Sequence, residues 1–400
     1  MKFAIIKERK NPPDKRAVLS PEACAALKKK FPSSYIKVES DTNRAFSDEE
    51  YRNFGIEVTN DISDCDVLLG IKEVPLEHLI PNKKYFFFSH TIKKQAHNQK
   101  LLQAILQKNI ELYDHEVITD TKGVRIVAFG KYAGIVGAYN TMRAYGLKTR
   151  SFNLPKAQEL LDKQALIVEL KKVKLPLVKI VLTGKGRVGN AVKEMLDAIP
   201  VKEVNVEEYL SKDFQEAVYT QIDVLDYNKR LDGQVLPESD FFKNAHEYQS
   251  TFMRFAKVSD IYIAGHFYGP GAPNLITKDD ARNSSFKVRV VGDISCDVKG
   301  PVASTIRSST IADPIYGYDP ESESETDYLN TNAIAVMAVD TLPCELPRDS
   351  SIGFGECFLN QVIPAFFDGD KDGILARALM TKNGRLTDRY AYLQDYVNGK

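Results

Sequence analysis

Several things are missing from this 400-residue sequence, and each absence removes a class of function. It has no excess of one charge. The 54 Lys and Arg equal the 54 Asp and Glu, so no global field would hold it on DNA, RNA or an anionic membrane surface. It has no long apolar run: Ile334 to Val339 falls far short of the roughly 18 apolar residues that span a bilayer. At the N-terminus, Phe3 to Ile6 is too short for the apolar region of a signal peptide and runs straight into charges, as a first strand would. Its five cysteines (Cys24, Cys65, Cys296, Cys344, Cys357) are odd in number, scattered and without CxxC spacing, which argues against a disulfide framework, a redox pair or a metal site. There is no internal repeat and no low-complexity tract. These absences predict a cytoplasmic protein with reduced thiols that acts on small molecules, without a nucleic-acid or membrane partner.

What is present is alternation. From Lys2 to about Tyr132 short apolar runs take turns with segments of helical period: FAIIKE, PEACAALKKKF, IKVES, DVLLGIKEV, KYFFFSH, a helix through Gln95 to Lys108, and IELYDHE. A second series begins at LVKIVLTGKG and continues through SDIYIAGHFYG to FKVRVVGDIS. Such alternation predicts an α/β fold of two Rossmann-like domains with parallel sheets around a cleft. The expected boundaries give a first domain of residues 1–133, completed by C-terminal helices within 338–400, and a second of residues 134–337. Ala133 to Leu147 reads as a connecting helix, with Gly134 and Gly137 permitting close packing, and Ser151 to Pro176 as one amphipathic helix. Another helix is expected around Thr387 to Val397, and the acidic run DPESESETD as a solvated loop.

Residues Val178 to Leu196, VKIVLTGKGRVGNAVKEML, place a GxGxxG turn between an apolar β-branched run and a helical pattern. Gly184 would permit the tight turn, Gly186 would let the backbone approach a pyrophosphate, and Gly189 would let the helix sit close to its strand. The helix starting near Val188 would offer unpaired N–H groups and its positive dipole end to the phosphates. In this context the turn predicts a dinucleotide site. The next strand is expected at Val201 to Val206, ending at Asn205 with Glu207 and Glu208 beyond, where an acid would hold the ribose of NAD. Arg187 within the turn could instead meet a 2'-phosphate, so the cofactor reads as NAD or NADP. Asp293, after the run VRVVG, is a further candidate on the cofactor side, or else a turn carboxylate.

In the first series, polar residues stand where apolar runs end, the place at which open α/β sheets bind ligands. Lys72 follows Val67 to Ile71, His90 follows Tyr85 to Phe88, and Glu116 follows Ile110 to Tyr113. A lysine, a histidine and a carboxylate so placed could run acid–base chemistry, although each alone also fits a plain surface role. Arg16, after the first strand, could grip a substrate carboxylate through its two-pronged guanidinium.

Together, KERKNPPDKRAVLSP, GIKEVP, FFFSHTIK, GVRIVAFGKYAGIVGAYN and VLTGKGRVG resemble the alanine dehydrogenase and transhydrogenase superfamily. The segments HEYQSTFMRF, YIAGHFYGPGAPNLITKDDAR, DISCDVKG and VDTLPCELPRDSS bring the resemblance closest to the lysine-forming saccharopine dehydrogenases and the lysine-ketoglutarate reductase domain of the bifunctional lysine-degrading enzyme. The resemblance implies a substrate and catalytic first domain, an NAD(P)-binding second domain, and a reaction that interconverts saccharopine with L-lysine and 2-oxoglutarate by hydride transfer. It also implies that Lys72 and His90 are the catalytic pair, that Arg16 binds a substrate carboxylate and that Glu116 tunes the pair. The site as a whole is then Lys72 and His90 for catalysis, Arg16 and Glu116 for substrate, and Gly184, Gly186, Arg187, Val188, Gly189, Asn205 and Asp293 for cofactor. The competing expectations are a dehydrogenase of a simpler amino acid such as alanine, and a catalytically silent nucleotide-binding protein that has kept the fold.

Overall fold

Two parallel sheets organise the computed structural model, which describes residues 1–11 and 14–399. Pro12 and Pro13, inside the KERKNPPDKR segment, lie outside the described residues. The first sheet contains β1 (Lys2–Ile5), β2 (Tyr35–Glu39), β3 (Glu57–Thr59), β4 (Val67–Leu69), β5 (Lys84–Phe87) and β6 (Glu111–Asp114), in the order β3-β2-β1-β4-β5-β6 with every pair parallel. Successive side chains of a strand point to opposite faces, and here both faces are apolar, as a parallel sheet covered on both sides requires. Phe3, Ile5, Val67, Leu69 and Phe86 pack in one layer with Phe354 and Phe358. Ala4, Leu68, Tyr85 and Phe87 pack in the other with Leu102, Ile105, Tyr390 and Leu393. The C-terminal segment therefore contributes to both layers. Accordingly the chain divides into one unit of Met1–Phe129 with Pro347–Lys400 and another of Gly130–Leu346.

The second sheet has β7 (Lys179–Thr183), β8 (Lys202–Glu203), β9 (Val218–Ile222), β12 (Ile261–Ala264), β13 (Val290–Asp293), β14 (Ile315–Asp319), β15 (Ser324–Thr326) and β16 (Ile334–Met337), after a separate antiparallel pair β10 (Asn228–Arg230) and β11 (Tyr248–Ser250). Its order is β15-β14-β16-β13-β12-β7-β9-β8. Six strands run parallel, and β14 and β15 add an antiparallel edge. The acidic run, expected as a solvated loop, is largely exposed but forms the turn and second strand of a hairpin. Against this sheet lies the helix Gly130–Thr149. A Cβ on Gly134 would come 2.3 Å from the Val188 carbonyl oxygen, and one on Gly137 would come 2.5 Å from Ile294, so these glycines do permit close packing.

Three local expectations need correction. The segment from Ser151 to Pro176 is not one helix: a short turn at Ala157–Glu159 precedes a helix at Lys163–Lys171, because Asp162 accepts the Ala165 N–H at 2.8 Å and starts the helix there. The last segment is a tight 3₁₀ turn, Asp388–Leu393, followed by one helical turn, Gln394–Val397. The expected strand Val201 to Val206 shrinks to Lys202–Glu203, because Asn205 caps the helix Val206–Ser211. Among the described residues no helix is long and apolar enough to cross a membrane.

Candidate active site

The parallel register of β4, β5 and β6 sets their C-terminal ends side by side, and each end carries part of a polar cluster. His90 adopts left-handed backbone, φ 54°, a conformation that few non-glycine residues take without support. The support comes from Asp114 at the end of β6. It is fully buried and accepts the Ser89 N–H at 3.0 Å, the Ser89 hydroxyl and the Glu116 N–H at 2.7 Å, so one carboxylate ties the turn bearing His90 to the turn bearing Glu116.

The ring of His90 lies between two acids. Its Nδ1 is 3.6 Å from Glu116 Oε2 and its Nε2 is 3.6 Å from Glu73 Oε1, ion-pair distances that count when the ring is protonated. Lys93 reaches the other Glu116 oxygen at 2.9 Å, and Lys10 reaches Glu73 at 3.1 Å. Burial pushes the Glu116 carboxyl up, but the His90 ring and the Lys93 ammonium outweigh it and bring it down to about 2. Glu116 is thus an ionised, half-desolvated acid.

Lys72 stands at the end of β4, next to Glu73. Its N–H and that of Ile71 donate to the two oxygens of Glu8, at 2.9 and 2.6 Å. Glu8 is buried, and burial overrides these two hydrogen bonds to raise its carboxyl to about 8. Asp14 and Arg16 are equally enclosed, 6% and 4% exposed, which excludes a solvated loop. Arg16 donates through Nε at 2.9 Å and Nη2 at 2.6 Å to the two oxygens of Asp14, and its guanidinium lies 4.1 Å over the Phe129 ring. Burial would raise the Asp14 carboxyl, yet the Arg16 charge and hydrogen bonds, helped by Lys72, hold it at about 2. The edge of Arg16 that would grip a substrate carboxylate in two-pronged fashion is already on Asp14.

His115, beside Glu116, belongs to the core. It is fully buried among Phe86, Phe88, Phe354 and Phe358, and burial brings it down to about 3, so the ring is neutral. Arg125, over the Phe88 ring at 5.7 Å, places a further cation in the same neighbourhood.

The glycine turn follows β7. Gly184 has φ +93°, and a Cβ there would come 2.7 Å from the Gly265 carbonyl oxygen. A Cβ on Gly189 would come 1.9 Å from the Gly184 carbonyl oxygen, whereas one on Gly186 would meet nothing within 4 Å. Two of the glycines are thus demanded by packing, and the third leaves open space over the backbone. The helix Arg187–Asp197 starts at that opening. A cavity of about 570 Å³ lies there, bordered by Gly184, Gly186, Arg187, Val188, Asp223 and His266 among others. This cradle fits the pyrophosphate of a dinucleotide.

Two expected cofactor residues are engaged elsewhere. Asn205 follows β8, the edge strand, with β9 standing between it and β7; its side chain accepts the Glu208 N–H at 2.9 Å and donates to the Glu208 carboxylate. Asp293 is fully buried and organises the loop after β13: one oxygen takes the Ser295 hydroxyl and the amides of Ser295 and Cys296, and the other takes the Thr305 hydroxyl at 2.6 Å. The sequence reading missed Asp223. It is the first residue after β9, whose Ile222 pairs with Thr183 beside the glycine turn, and it borders the cavity. Nor was His266 expected there: Nδ1 is 2.8 Å from the Thr183 hydroxyl, Nε2 has no hydrogen-bond partner among the described residues, and burial lowers the ring to about 4. Glu73 and Asp114 were missed as well. Glu73 could have been suspected from its place beside Lys72 in GIKEVP; the role of Asp114 has no local signal.

Residues 4–136 match the family model described as alanine dehydrogenase/PNT, N-terminal domain. Over 97% of its length the chain is 28% identical to an α-aminoadipic semialdehyde synthase of Arabidopsis thaliana, covering 41% of that protein, and over 98% it is 27% identical to the mitochondrial α-aminoadipic semialdehyde synthase of Mus musculus, covering 47%. It therefore spans less than half the length of these two relatives. A saccharopine dehydrogenase (NAD⁺, L-lysine-forming) of Neurospora crassa is 25% identical over 91% of both chains. Among solved structures, an L-alanine dehydrogenase shares the fold with a TM-score of 0.65 at 16% identity, covering 100% of this chain and 99% of its own, and the transhydrogenase from Sinorhizobium meliloti with a TM-score of 0.59 at 14% identity, covering 97% and 99%. The chain is thus similar over nearly its whole length to α-aminoadipic semialdehyde synthases and to lysine-forming saccharopine dehydrogenases, and its residues 4–136 match the alanine dehydrogenase/PNT N-terminal domain.

Proposed function

We propose that this chain is a nicotinamide-dependent oxidoreductase that interconverts saccharopine with L-lysine and 2-oxoglutarate. The observation that carries the reading is the cluster of Lys72, Glu73, His90 and Glu116 on three adjacent strand ends of a domain matched to the alanine dehydrogenase/PNT model. The first unit then supplies the acid–base chemistry and the second the dinucleotide site.

A bound nicotinamide dinucleotide supplies the hydride donor or acceptor; the chain itself handles protons and orientation. Lys72 and His90 divide two tasks, one exchanging a proton with the secondary amine of saccharopine and the other with the water that adds to the imine carbon. Glu73 and Glu116 face the two ring nitrogens of His90, so a proton on either nitrogen meets a carboxylate. Glu8 holds the two amides at the root of Lys72 and sets where that side chain starts. Arg16, the expected carboxylate-binding residue, acts in this reading together with its Asp14 partner, as an oriented pair beneath Lys72. Asp223 takes the role first assigned to Asn205: at the end of the strand next to β7 it would accept hydrogen bonds from a ribose diol and repel a 2'-phosphate, which favours NAD over NADP. The five cysteines, none in a disulfide, suit a reducing compartment such as the cytoplasm.

The test is a substrate and cofactor matrix. NADH oxidation is expected with L-lysine plus 2-oxoglutarate, slower with NADPH, and absent with pyruvate plus ammonia. Turnover with pyruvate and ammonia alone would replace this reading by a simpler amino-acid dehydrogenase, and NADH binding without turnover of either pair would replace it by a silent nucleotide-binding protein.

A further inference from the structure

The second domain holds a cavity larger than the one at the glycine turn, about 920 Å³, and the two share no lining residue. Its walls are the helix Lys278–Arg282, the loop carrying Lys299 and Thr305, and the hairpin of β14 and β15. Charge within it is nearly balanced. Glu323, in left-handed backbone at φ 52°, takes the Lys278 ammonium on one oxygen and Arg282 on the other at 2.6 Å, while Asp279 takes a second nitrogen of Arg282 at 2.5 Å. Those four charges cancel. Lys299 remains as a surplus cation: it is exposed, and its ammonium has no ion-pair partner among the described residues.

The second observation is Tyr318. It is fully buried, it lines the cavity, and its hydroxyl has no hydrogen-bond partner among the described residues. Burial, reinforced by the Glu323 charge, pushes the phenol up, so the group is an unused O–H donor. A buried donor left unpaired costs on the order of 1–3 kcal/mol, a cost that a ligand oxygen would remove.

We propose that this cavity is a second small-molecule site, which takes an organic carboxylate of one net negative charge, with an oxygen on the Tyr318 hydroxyl and its charge balanced by Lys299. A doubly charged phosphate fits less well, because one surplus cation would leave it half neutralised and the other two are already held by carboxylates. The site lies apart from the glycine turn, so occupancy does not require the dinucleotide.

Titration calorimetry of the full chain without cofactor, using L-glutamate and inorganic phosphate as probes, tests it. Saturable glutamate binding is expected, weakened about tenfold in Tyr318→Phe and in Lys299→Gln, with phosphate weaker than glutamate and NADH binding unchanged in both variants. No saturable heat from glutamate, equal affinity in both variants, or phosphate binding tighter than glutamate would each overturn the proposal. Because Lys299 is exposed, its variant is not expected to disturb folding, and Tyr318→Phe keeps the ring. The measurement involves no turnover, so its failure leaves the assigned reaction untouched.

Discussion

The two candidate sites are built from opposite materials. At the glycine turn the chain works by omission: Gly184 and Gly189 lack side chains where a Cβ would strike backbone, and Gly186 leaves open space before a helix N-terminus. At the strand ends of the first domain it works by accumulation, with Asp14, Arg16, Lys72, Glu73, His90, Lys93 and Glu116 joined through opposite charges and Glu8 holding the Ile71 and Lys72 amides by hydrogen bonds. A backbone site binds and is insensitive to pH; a site made of titratable side chains can move protons and is sensitive to it. The division matches the proposed reaction, in which one site holds the cofactor and the other does the acid–base work.

That contrast is most directly broken by substitution at Gly189. Gly189→Val places atoms where a single Cβ already comes 1.9 Å from a carbonyl oxygen, so NADH binding should be lost and the melting temperature should fall, in line with an overpacking cost of about 1–3 kcal/mol. Retained NADH binding in that variant would show that the backbone cradle is not the cofactor site. On the other side, Lys72→Met should lower turnover by about 100-fold or more while the NADH dissociation constant stays unchanged, because in the proposed reaction the residue serves proton transfer. Steady-state kinetics with a parallel NADH titration checks both halves, and a matching loss of NADH affinity would blur the comparison. Smaller is the expected effect of Asp223→Ser, which should shift the NADH to NADPH preference by about tenfold, roughly 1.4 kcal/mol, towards NADPH. An unchanged ratio would return the ribose contact to another residue.

The weakest effects are those of pH, and they have opposite signs for two acids of the same cluster. Glu116 in the folded protein titrates at about 2, below the ordinary 4.5, so its contribution to stability is complete above about 4.5 and is lost as the pH falls towards 2. Glu8 titrates at about 8, above the ordinary 4.5, so the folded state keeps a proton that the unfolded state has released, and stability declines as the pH rises from about 4.5 to 8. Melting curves across pH should therefore show Glu116→Gln with a shallower loss in acid, and Glu8→Gln with a flatter profile between pH 5 and 8. Parallel profiles for wild type and Glu8→Gln would mean that Glu8 is ionised in the fold.

Much of this was legible from local pattern. The alternation of apolar runs and helical periods is set by neighbours within a few residues, and it located β1, β2, β4, β5 and β6 of the first sheet, β7, β12 and β13 of the second, the long helix after the first series and the strand ends carrying Lys72, His90 and Glu116. Boundaries were less legible where one capping side chain decides the outcome, as Asp162 does in dividing the expected helix and Asn205 in cutting short the expected strand. Arg16 illustrates a different limit. Its position was readable, but its commitment to a buried Asp14 depends on an enclosure that no spacing reveals.

The glycine turn was determined by sequence alone, because Gly184, Gly186, Gly189 and the helix they open are within a few residues of one another and their steric demands are local. Tertiary structure decided which acid stands beside that turn. Strand order in space is not strand order in the chain: β8 went to the sheet edge and β9 took the place next to β7, so Asp223, and not Asn205, follows the strand beside the glycine turn and is the acid proposed for the ribose. The same physics assembled the polar cluster, since parallel pairing of β4, β5 and β6 brings together side chains tens of residues apart, and the buried Asp114 carboxylate then fixes two of their turns.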